Sequence, residues 1–571
     1  MKLDKDIVTG IVICALLLIA WQPICQYFGW VPQNRPAAVK SQPTAETRPA
    51  KAAQPASAEP AAPTSEAAAP MATSTLDSAE YPPIELKNRD LTLQISPVLG
   101  EITAITLNDY LNYERTAPVK LDQILRGSDV PGALAVFNLK LPYQVTQVIS
   151  CQATERELKL MRRLNLSRFP AGIVLTQVWQ LAESGYVTDY QVSFSNPGTA
   201  PIAIDSTVIG GGDLAPWRAS SGDKVRIPSH RVDYLTSNGK YCDLKTDAKE
   251  SKFNSGRGET VAWAAVGNKY FCSILDAEQP YQLWLTRNTT GKDTKVMAVA
   301  IGAELPAFTL ASGESKTFTF KYYSGPKIIG NLRAFAPDAE RVMHLAWGPL
   351  DYLARALLWL LIKFNGYLHS YGLSIILLTL VVRTVFYPIT AKSNASMRKM
   401  QLVQPQLKEL REKYKDNPQL MNTKMMELYR KEGVNPFGGC LPILLQIPVF
   451  FALYATLDGA VELRQVSFLW CKDLAAADTV AVIPLYFFDL PINPLVLAMT
   501  LLMILQQRMT PMSGDPAQKK MMMMMPVIML VFLYSLPSGL TLYWTVSNFF
   551  SIVQLKLQQR AGGKTIPAKT R

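Results

Sequence analysis

Residues 375–388 read IILLTLVVRTVFYP and place one arginine, Arg383, inside a run that is otherwise apolar. The apolar stretch from Tyr371 to Thr390 has the length of about 20 residues that a helix needs to cross a membrane. A charged side chain at that depth is costly. The stretch therefore predicts a membrane protein whose surroundings must accommodate an arginine.

The composition and the other apolar runs agree with a membrane protein. Of the 571 residues, 49% are hydrophobic and 18% are charged, a charged share below the roughly 25% of soluble domains. Pro537, Ser538 and Gly539 interrupt the last apolar run and divide it into two helices. The sequence thus predicts six transmembrane helices, five of them within the further runs Ile7 to Trp30, Pro436 to Leu457, Pro491 to Gln506 and Met521 to Leu555.

Lysine and arginine in the short loops orient these spans. The segment between the second and third spans carries ten such residues from Lys392 to Lys431, whereas the next loop has only Arg464 and Lys472. The first segment and both termini are therefore predicted to be cytoplasmic, and everything between spans one and two lies outside. A cleaved signal peptide is the alternative for the first span, but no small-x-small site follows its apolar core, which favours an uncleaved anchor.

The exported part begins with a tether and continues as a β domain. Residues from about Gln33 to Pro83 are rich in Ala, Pro, Ser and Thr and contain no aromatic side chain before Tyr81, so they cannot bury a core. Turns at 183–185 and 267–268 separate some of the alternating runs that follow, and an all-β sandwich of roughly 250 residues is predicted. The runs are LTLQI, GIVLTQVWQL, YVTDYQVSF, TVAWAAV, YFCSIL, YQLWLT and KTFTFKYY.

No catalytic pattern accompanies the β domain. His230 is its one internal histidine, and it contains no HExxH, nucleophile elbow or glycine-rich phosphate loop. We therefore expect no enzyme activity, no metal site and no cofactor. Cys151, Cys242 and Cys272 are odd in number and follow no framework spacing, so no disulfide is assigned.

A short amphipathic segment leads from the β domain to the second span. Its apolar core, ALLWLLI, is too short to cross a membrane and lies between Arg355 and Lys363. It predicts a helix in the outer membrane interface. The predicted organisation is an anchor at 1–30, an Ala/Pro-rich linker at 31–80, the β domain at 81–345, the interfacial helix at 346–369, a five-helix core at 370–560 and a basic tail at 561–571.

Residues 391–434 predict an antiparallel helical hairpin on the cytoplasmic side. Met400, Val403 and Leu407 recur at coiled-coil spacing, and a turn follows at 416–418. Interspersed glutamates argue against simple nucleic-acid binding, so recognition of a specific nucleic-acid sequence is not expected. Two interpretations stay open, a structural coiled coil or a docking post for a cytosolic partner. The docking residues would be Arg398, Lys399, Lys408, Arg411, Lys413, Lys415, Lys424, Arg430 and Lys431.

Two explanations also stay open for Arg383, which lies roughly 7 Å before Pro388 along the helix. The guanidinium can snorkel to the inner headgroups. Alternatively, since no Asp or Glu lies inside any predicted span, water relieves the cost of the unpaired charge. That second explanation predicts a hydrated cavity open to the cytoplasm and lined by Arg383, Thr379, Gln446, Thr541, Thr545, Ser547 and Asn548.

These residues lie in motifs that resemble the YidC family of bacterial inner-membrane insertases. The resemblance is dense from about residue 345 to 560 and rests on VVRTVFYP, KEGVNPFGGCLPILLQIPVFFALY, GAVELRQVSFLW and MMPVIMLVFLYSLPSGLTLYWTVSN. It implies a periplasmic β-supersandwich and a five-helix, positively charged groove that is open to the cytoplasm and to lipid. It also implies that Arg383, Thr379 and Gln446 line this groove and that Tyr543 and Trp544 contact the client.

The resemblance further implies a function in inserting and folding inner-membrane proteins, alone or with the Sec translocon. The implied partners are nascent inner-membrane proteins, the ribosome, signal recognition particle components and the phospholipid bilayer. Two other classes of function were weighed against it. A transporter for a small anion lacks support because the sequence contains no internal repeat, and an envelope glycan enzyme is disfavoured by the scarcity of histidine in the β domain.

Overall fold

A computed structural model describes most of the chain beyond residue 72. The described residues are 73–74, 76, 80–112, 115–121, 137–139, 143–166, 169–214, 231–245, 257–289, 297–415, 417–434, 441–484, 489–509 and 516–562. They fall into two compact units that divide between Val342 and Met343. The predicted first span and most of the predicted tether lie outside the described residues.

The first unit is rich in β-strands. Among the described residues its main sheet has thirteen strands, and the path β1-β7-β8-β9-β10-β19-β16-β15-β13-β14 is extended by β17, β12 and β6. Separate sheets contain β2 to β5 and the pair β11 and β18. The strands are β1 Thr73–Ser74, β2 Ile84–Lys87, β3 Leu91–Ile95, β4 Ile102–Leu111, β5 Pro118–Lys120, β6 Phe137–Leu139, β7 Tyr143–Ala153, β8 Glu157–Leu166, β9 Phe169–Leu181, β10 Val187–Ser195, β11 Ile202–Ile204, β12 Thr207–Leu214, β13 Arg231–Thr236, β14 Tyr241–Lys245, β15 Thr260–Gly267, β16 Phe271–Thr289, β17 Met297–Leu305, β18 Phe308–Leu310 and β19 Ser315–Pro326.

Alternation of apolar and polar residues produces these strands, as the sequence predicts. In β8 every second residue is buried, because successive side chains of a strand point to opposite faces. Trp179, Tyr190 and Tyr322 are among the largest fully buried side chains. The rings of Tyr110 on β4 and Phe271 on β16 meet edge to face at 5.6 Å, so the four-stranded sheet packs on the main sheet as a β-rich sandwich.

One strand assignment from the sequence is wrong in detail. The runs YFCSIL and YQLWLT are not two strands but parts of β16, which is 19 residues long. The pairing register shifts between Val261 and Trp263 of the neighbouring β15, opposite the irregular segment of β16 that contains Pro280. The predicted turn at 267–268 is confirmed, since the Asn268 side-chain oxygen accepts bonds from the backbone N–H groups of Tyr270 and Phe271.

A buried polar group joins the two layers of the sandwich. Arg162 on β8 is fully buried and donates to the Val98 carbonyl at 2.7 Å and to the side-chain oxygen of Gln177. Gln177 in turn donates to the Gly100 carbonyl at 3.0 Å and to the Tyr190 hydroxyl at 2.7 Å. Buried polar groups are tolerated when they are hydrogen-bonded in this way.

The end of the β unit is fastened to the sheet by three contacts. A short helix, α1 (Ile329–Phe335), and a 3₁₀ turn, Ala339–Met343, follow β19. The buried Lys327 ammonium donates to the Val342 carbonyl at 3.0 Å, and burial lowers the pKa of this lysine. The Trp263 ring N–H donates to the Pro337 carbonyl at 2.9 Å, and the Arg341 guanidinium lies 4.0 Å from the centre of the Tyr241 ring.

The second unit is mostly helical. Its helices are α2 Pro349–Leu368, α3 Tyr371–Lys413, α4 Pro418–Lys431, α5 Leu441–Gly459, α6 Pro494–Met509, α7 Pro516–Leu533 and α8 Ser538–Gly562. A 3₁₀ turn at Val461–Leu463 and a hairpin of β20 (Ala481–Pro484) and β21 (Asp489–Ile492) lie between α5 and α6. The predicted break near Pro537 separates α7 from α8.

Among the described residues, one helix is long and apolar enough to cross a membrane, Tyr371–Met400. Leu444–Gly459, Pro494–Met509 and Met523–Leu533 are shorter apolar helices. The helix of the second predicted span is therefore present, and its crossing of a membrane and the count of six spans remain predictions. Helix α3 is 43 residues long. It does not stop at the predicted end of this span but continues through Pro388 and Pro405 into the first arm of the hairpin.

The hairpin has a core of its own. Met400, Val403 and Leu407 on α3 are buried together with Val434, and α4 supplies partly buried Met425, Leu428 and Tyr429. The side chain of Asn417 caps α4 by accepting from the Leu420 N–H at 3.1 Å. The helical hairpin predicted from the sequence is thus present, and its cytoplasmic placement remains a prediction.

We predict that Gly100→Ala destabilises the β unit more than Gly313→Ala does. Both glycines have positive φ, +64° and +74°, which costs an alanine about 1 kcal/mol. A Cβ at position 100 would also lie 2.2 Å from atoms of Arg162 and Gln177, whereas position 313 is open. Overpacking should bring the loss in the free energy of unfolding to about 3 kcal/mol for Gly100→Ala, measured by pulse proteolysis of the full chain in urea. Equal losses would mean that the buried arginine network rearranges freely.

Candidate functional site

Arg383 is bound to a serine on the last helix. Its Nε donates to the Ser547 hydroxyl oxygen at 2.8 Å, and its Nη2 donates to the same oxygen. Within the described part of the chain no carboxylate pairs with this guanidinium. A neutral hydroxyl therefore lies where a carboxylate counter-ion would be expected.

The other two predicted groove residues, Thr379 on α3 and Gln446 on α5, make different kinds of contact. Thr379 is fully buried and its hydroxyl donates to the Ile375 carbonyl at 2.7 Å, so it is occupied within its own helix. Gln446 on α5 donates to the Tyr543 hydroxyl at 2.9 Å. Tyr543 is only 1% exposed, which gives it the role of a bridge between α5 and α8 rather than an open contact surface.

Arg383 begins a polar seam between α3 and α8. Asn394 Nδ2 donates to Gln558 Oε1 at 2.9 Å, and this pair has the same sequence separation of 164 residues as Arg383 and Ser547. The two helices therefore run parallel and stay in register for about 16 Å. Ser551 lies between the pairs on α8 and donates to the Ser547 carbonyl. Two apolar helices thus face each other with polar side chains along their contact.

Several hydrogen-bond donors near this seam are buried without an acceptor among the described residues. They are Asn548 Nδ2, Gln554 Nε2 and Arg398 Nη2. A buried donor without a partner costs about 1–3 kcal/mol, so such groups are normally met by water or by a ligand. An occupant that carries carbonyl or carboxylate oxygens would satisfy these donors.

The aromatic residue next to Tyr543 faces another surface. Trp544 packs edge to face on Phe450 of α5 with ring centres 4.9 Å apart, and it lies beside the small core formed by Val496, Met499 and Leu533. Thr545 donates to the Thr541 carbonyl at 2.7 Å. Both adjacent aromatic residues therefore contact α5, and Trp544 also reaches the core between α6 and α7.

The end of the unit formed by the α5–α6 connection is tightly closed. A Cβ at position 372 would lie 2.1 Å from the Phe468 ring, so Gly372 at the start of α3 leaves the space that this ring fills. The Ser538 hydroxyl donates to the Asp473 carbonyl at 2.8 Å, and the Gly539 N–H donates to the Leu474 carbonyl at 2.9 Å. The connection is thereby tied to the beginnings of both seam helices.

A buried carboxyl group lies in this closed end. Both carboxylate oxygens of Glu462 are buried and have no hydrogen-bond partner among the described residues. Burial raises the pKa of Glu462, because desolvation disfavours the charged form. This carboxyl group belongs to the closed end, whereas Arg383 lies about 18 Å further along α3 from Tyr371.

The predicted docking residues are mostly exposed and are scattered over the hairpin. Lys399, Lys408, Lys413, Lys415, Arg430 and Lys431 are exposed, and Arg398 and Arg411 are partly buried. Lys424 is bound to Glu427 at 2.8 Å, and this contact raises the pKa of Lys424. The hairpin surface thus carries charges of both signs. This observation does not distinguish a structural coiled coil from a docking post.

Sequence reasoning missed three features of the site. The Asn394–Gln558 pair lies beyond the predicted span, and only its equal spacing from Arg383 and Ser547 hints at it. The Phe468 contact at Gly372 carries no local sequence signal. Glu462 falls just outside the apolar runs, where a carboxylate is expected to be solvated.

A β-rich sandwich followed by apolar helices that meet along a polar seam defines a class, a membrane protein with an extramembranous β domain. Residues 83–360 match the family model described as the YidC periplasmic domain, and residues 363–564 match the one described as 60Kd inner membrane protein. The chain belongs to the YidC family of membrane protein insertases. This confirms the family and the insertase function that its motifs imply.

Curated relatives carry the name membrane protein insertase YidC. The protein of Geobacter sulfurreducens is 36% identical over 67% of this chain and 68% of its own length. That of Geobacter metallireducens is 35% identical over 67% of each chain, and that of Syntrophobacter fumaroxidans is 42% identical over 52% of this chain and 53% of its own. A crystal structure of an active YidC insertase is 18% identical, covers 83% of this chain and 92% of that one, and has a TM-score of 0.34.

We predict that Ser547→Ala destabilises the helical unit, because Arg383 loses the acceptor that holds it. Hydrogen bonds to charged groups contribute about 1.5–3 kcal/mol. Thr384→Val is the matched control, since the Thr384 hydroxyl bonds only to the Leu380 carbonyl of its own helix and is exposed. Thermal unfolding in detergent should show a lower Tm for Ser547→Ala alone. An unchanged Tm would mean that water replaces the serine at no cost.

Proposed function

We propose that this insertase moves the polar part of an incoming membrane protein through a hydrated groove along the α3–α8 seam. The observation that carries the proposal is the Arg383 guanidinium, which is bound only to the Ser547 hydroxyl and to no described carboxylate. A fixed cation without an acidic partner needs water or an incoming anion nearby. Snorkelling of Arg383 to the headgroups does not by itself explain why its guanidinium binds Ser547 on α8.

The physical task is to shorten the apolar distance that a polar segment must cross. Unsatisfied backbone groups cost several kcal/mol each in hydrocarbon. The seam offers hydroxyl, amide and guanidinium groups to such a segment, including the buried donors Asn548 Nδ2 and Gln554 Nε2. Arg383 adds attraction for acidic residues of the client. The groove residues that we propose are Arg383, Thr379, Gln446, Tyr543, Trp544, Thr545, Ser547 and Asn548.

The apolar part of the client needs a different surface. Exposed Met523, Met524 and Met525 on α7 continue into exposed Val527 and Ile528. Flexible methionine side chains adapt to varied partners. We infer that apolar client segments leave for the lipid along α5 and α7, while the polar segment occupies the seam.

We also propose the topology that this route requires. Six spans place both termini and the hairpin in the cytoplasm and the β unit in the periplasm, with α2 lying in the outer interface. The connection between α5 and α6 then lies on the periplasmic side, where Phe468 fills the space at Gly372. A groove that is closed on that side admits polar segments without opening a leak.

Partners are proposed from the same geometry. The clients are nascent inner-membrane proteins, and the hairpin and the basic tail suit docking of the ribosome and of signal recognition particle components, with the Sec translocon as a second partner in the membrane. Lysines on the exposed hairpin surface supply attraction over about one Debye length, roughly 8–10 Å. Apolar burial of the client and the membrane potential would drive insertion.

We predict that Arg383→Ala slows insertion of clients with acidic translocated tails about tenfold, and that Arg383→Lys slows it less. A charge-assisted interaction of about 1.5 kcal/mol corresponds to that factor. Insertion into proteoliposomes, read by protease protection, measures it with one client whose tail is acidic and a second in which the acids are amides. Arg508→Ala, at an exposed position on α6, is the control arginine and should change neither client.

The amide client decides between the two explanations of Arg383. If Arg383→Ala slows only the acidic client, the charge attracts clients. If both clients slow equally, the arginine acts by keeping the groove hydrated. Normal insertion of both would leave snorkelling as its only role and contradict the proposed groove.

We predict that deleting residues 400–430 impairs insertion of ribosome-delivered clients while the rest of the bundle stays folded. The hairpin packs around its own buried cluster of Met400, Val403, Leu407 and Val434, so its loss leaves the Arg383–Ser547 contact in place. Tm in detergent checks folding, and co-sedimentation with ribosomes checks docking. Unchanged insertion and unchanged co-sedimentation would make the hairpin purely structural.

A further inference from the structure

The connection between α5 and α6 contains a tight turn that exposes two large apolar side chains. The backbone N–H groups of Phe468 and Cys471 each donate to the carbonyl of the other at 2.9 Å, which fixes the four-residue turn 468–471. Leu469 and Trp470 form its tip and are 72% and 47% exposed. Large apolar groups at such exposure mark an interaction surface when they cluster.

The backbone of this tip has an unfavourable conformation. Leu469 has φ of +53°, a left-handed conformation that leucine rarely adopts. Strained residues persist where surrounding contacts determine them. Here the Phe468 ring fills the space at Gly372, and Cys471 is buried on the other side of the tip. The turn is therefore anchored at both ends and directs Leu469 outward.

A second exposed apolar segment lies beside the tip. The Trp470 ring N–H donates to Asp478 Oδ2 at 3.1 Å, and the same oxygen accepts from the Leu495 N–H at 2.6 Å. This carboxylate ties the tip to the start of α6. Val480, Val482 and Ile483, which begin the β20–β21 hairpin just after Asp478, are about half exposed. We call Leu469, Trp470, Val480, Val482 and Ile483 the outer ridge.

We propose that the outer ridge inserts into the outer leaflet of the phospholipid bilayer and anchors the closed end of the groove there. The proposal rests on the topology above, in which α5 and α6 cross the membrane and the ridge lies at its outer face. Asp478 ties the ridge to the start of α6, and on that helix Leu497 and Leu501 are exposed. Tryptophan and leucine with a lysine beside them, here Lys472, form the combination that favours the boundary between acyl chains and headgroups.

This placement gives the ridge a mechanical role. Phe468 closes the groove at Gly372, and the next two residues would be held by lipid. Lipid contact at the tip therefore opposes movement of Phe468 out of its position, and the seal depends on the bilayer as well as on protein contacts. A soluble partner would instead leave the ridge in water until it binds.

The test places an environment-sensitive fluorophore on Leu469→Cys and, as the matched control, on Lys472→Cys, three residues away and also exposed. The full chain is reconstituted in vesicles of phosphatidylethanolamine and phosphatidylglycerol, and the unsubstituted protein labelled in parallel supplies the background of natural cysteines. We expect the probe at 469 to be quenched by lipids spin-labelled near the headgroup and protected from aqueous iodide. The probe at 472 should show the opposite pattern.

A second measurement separates this proposal from the topology beneath it. In spheroplasts, a membrane-impermeant maleimide added outside should label Lys472→Cys. If it does and both fluorophores are quenched by iodide alone, the ridge lies in water and the lipid proposal is wrong while the topology stands. If Lys472→Cys is labelled only in inverted vesicles, the loop lies on the other side and the topology itself is wrong. A photo-crosslinker at 469 that captures client instead of lipid would also overturn the proposal.

Discussion

An arginine without an acidic partner inside an apolar helix is the constraint on which the helical unit depends. Arg383 cannot be left in hydrocarbon, since the penalty is several kcal/mol, and the chain supplies no described carboxylate to neutralise it. In the structure the Ser547 hydroxyl binds Arg383, and further polar groups continue in register along α3 and α8. A serine does not cancel a charge. The seam therefore keeps a net positive character, which a salt bridge would have removed.

The same constraint requires the two ends of the seam to differ. In the proposed groove, a polar path that crossed the whole membrane would conduct ions, so one end must be closed. Phe468 at Gly372 and the bonds from Ser538 and Gly539 to the α5–α6 connection provide that closure. Glu462, the carboxyl group of this end, is buried, desolvation raises its pKa, and the partner of Arg383 is Ser547 instead.

Much of this arrangement follows from the sequence because its strongest signals are local. Alternating residues predict the strands, the apolar length of 371–390 predicts the long helix, and Pro537 predicts the break between α7 and α8. Arg383, Gln446 and Ser547 are recognisable because polar residues are conspicuous in apolar runs. The merged strand β16 was missed because Pro280 reads as a terminator, and only the irregular pairing with β15 shows that the chain continues.

What the sequence cannot supply is the pairing of distant residues. Arg383 and Ser547 are separated by 164 positions, and nothing local chooses Ser547 over Thr545 or Asn548 as the acceptor. The parallel packing of α3 on α8 makes that choice, and the same register then brings Asn394 to Gln558. Because one helix register fixes both contacts, a shift that separates one pair separates the other. The seam therefore responds as a single element, and any occupant that loosens the α3–α8 contact near Arg383 weakens it at the end that continues into the hairpin.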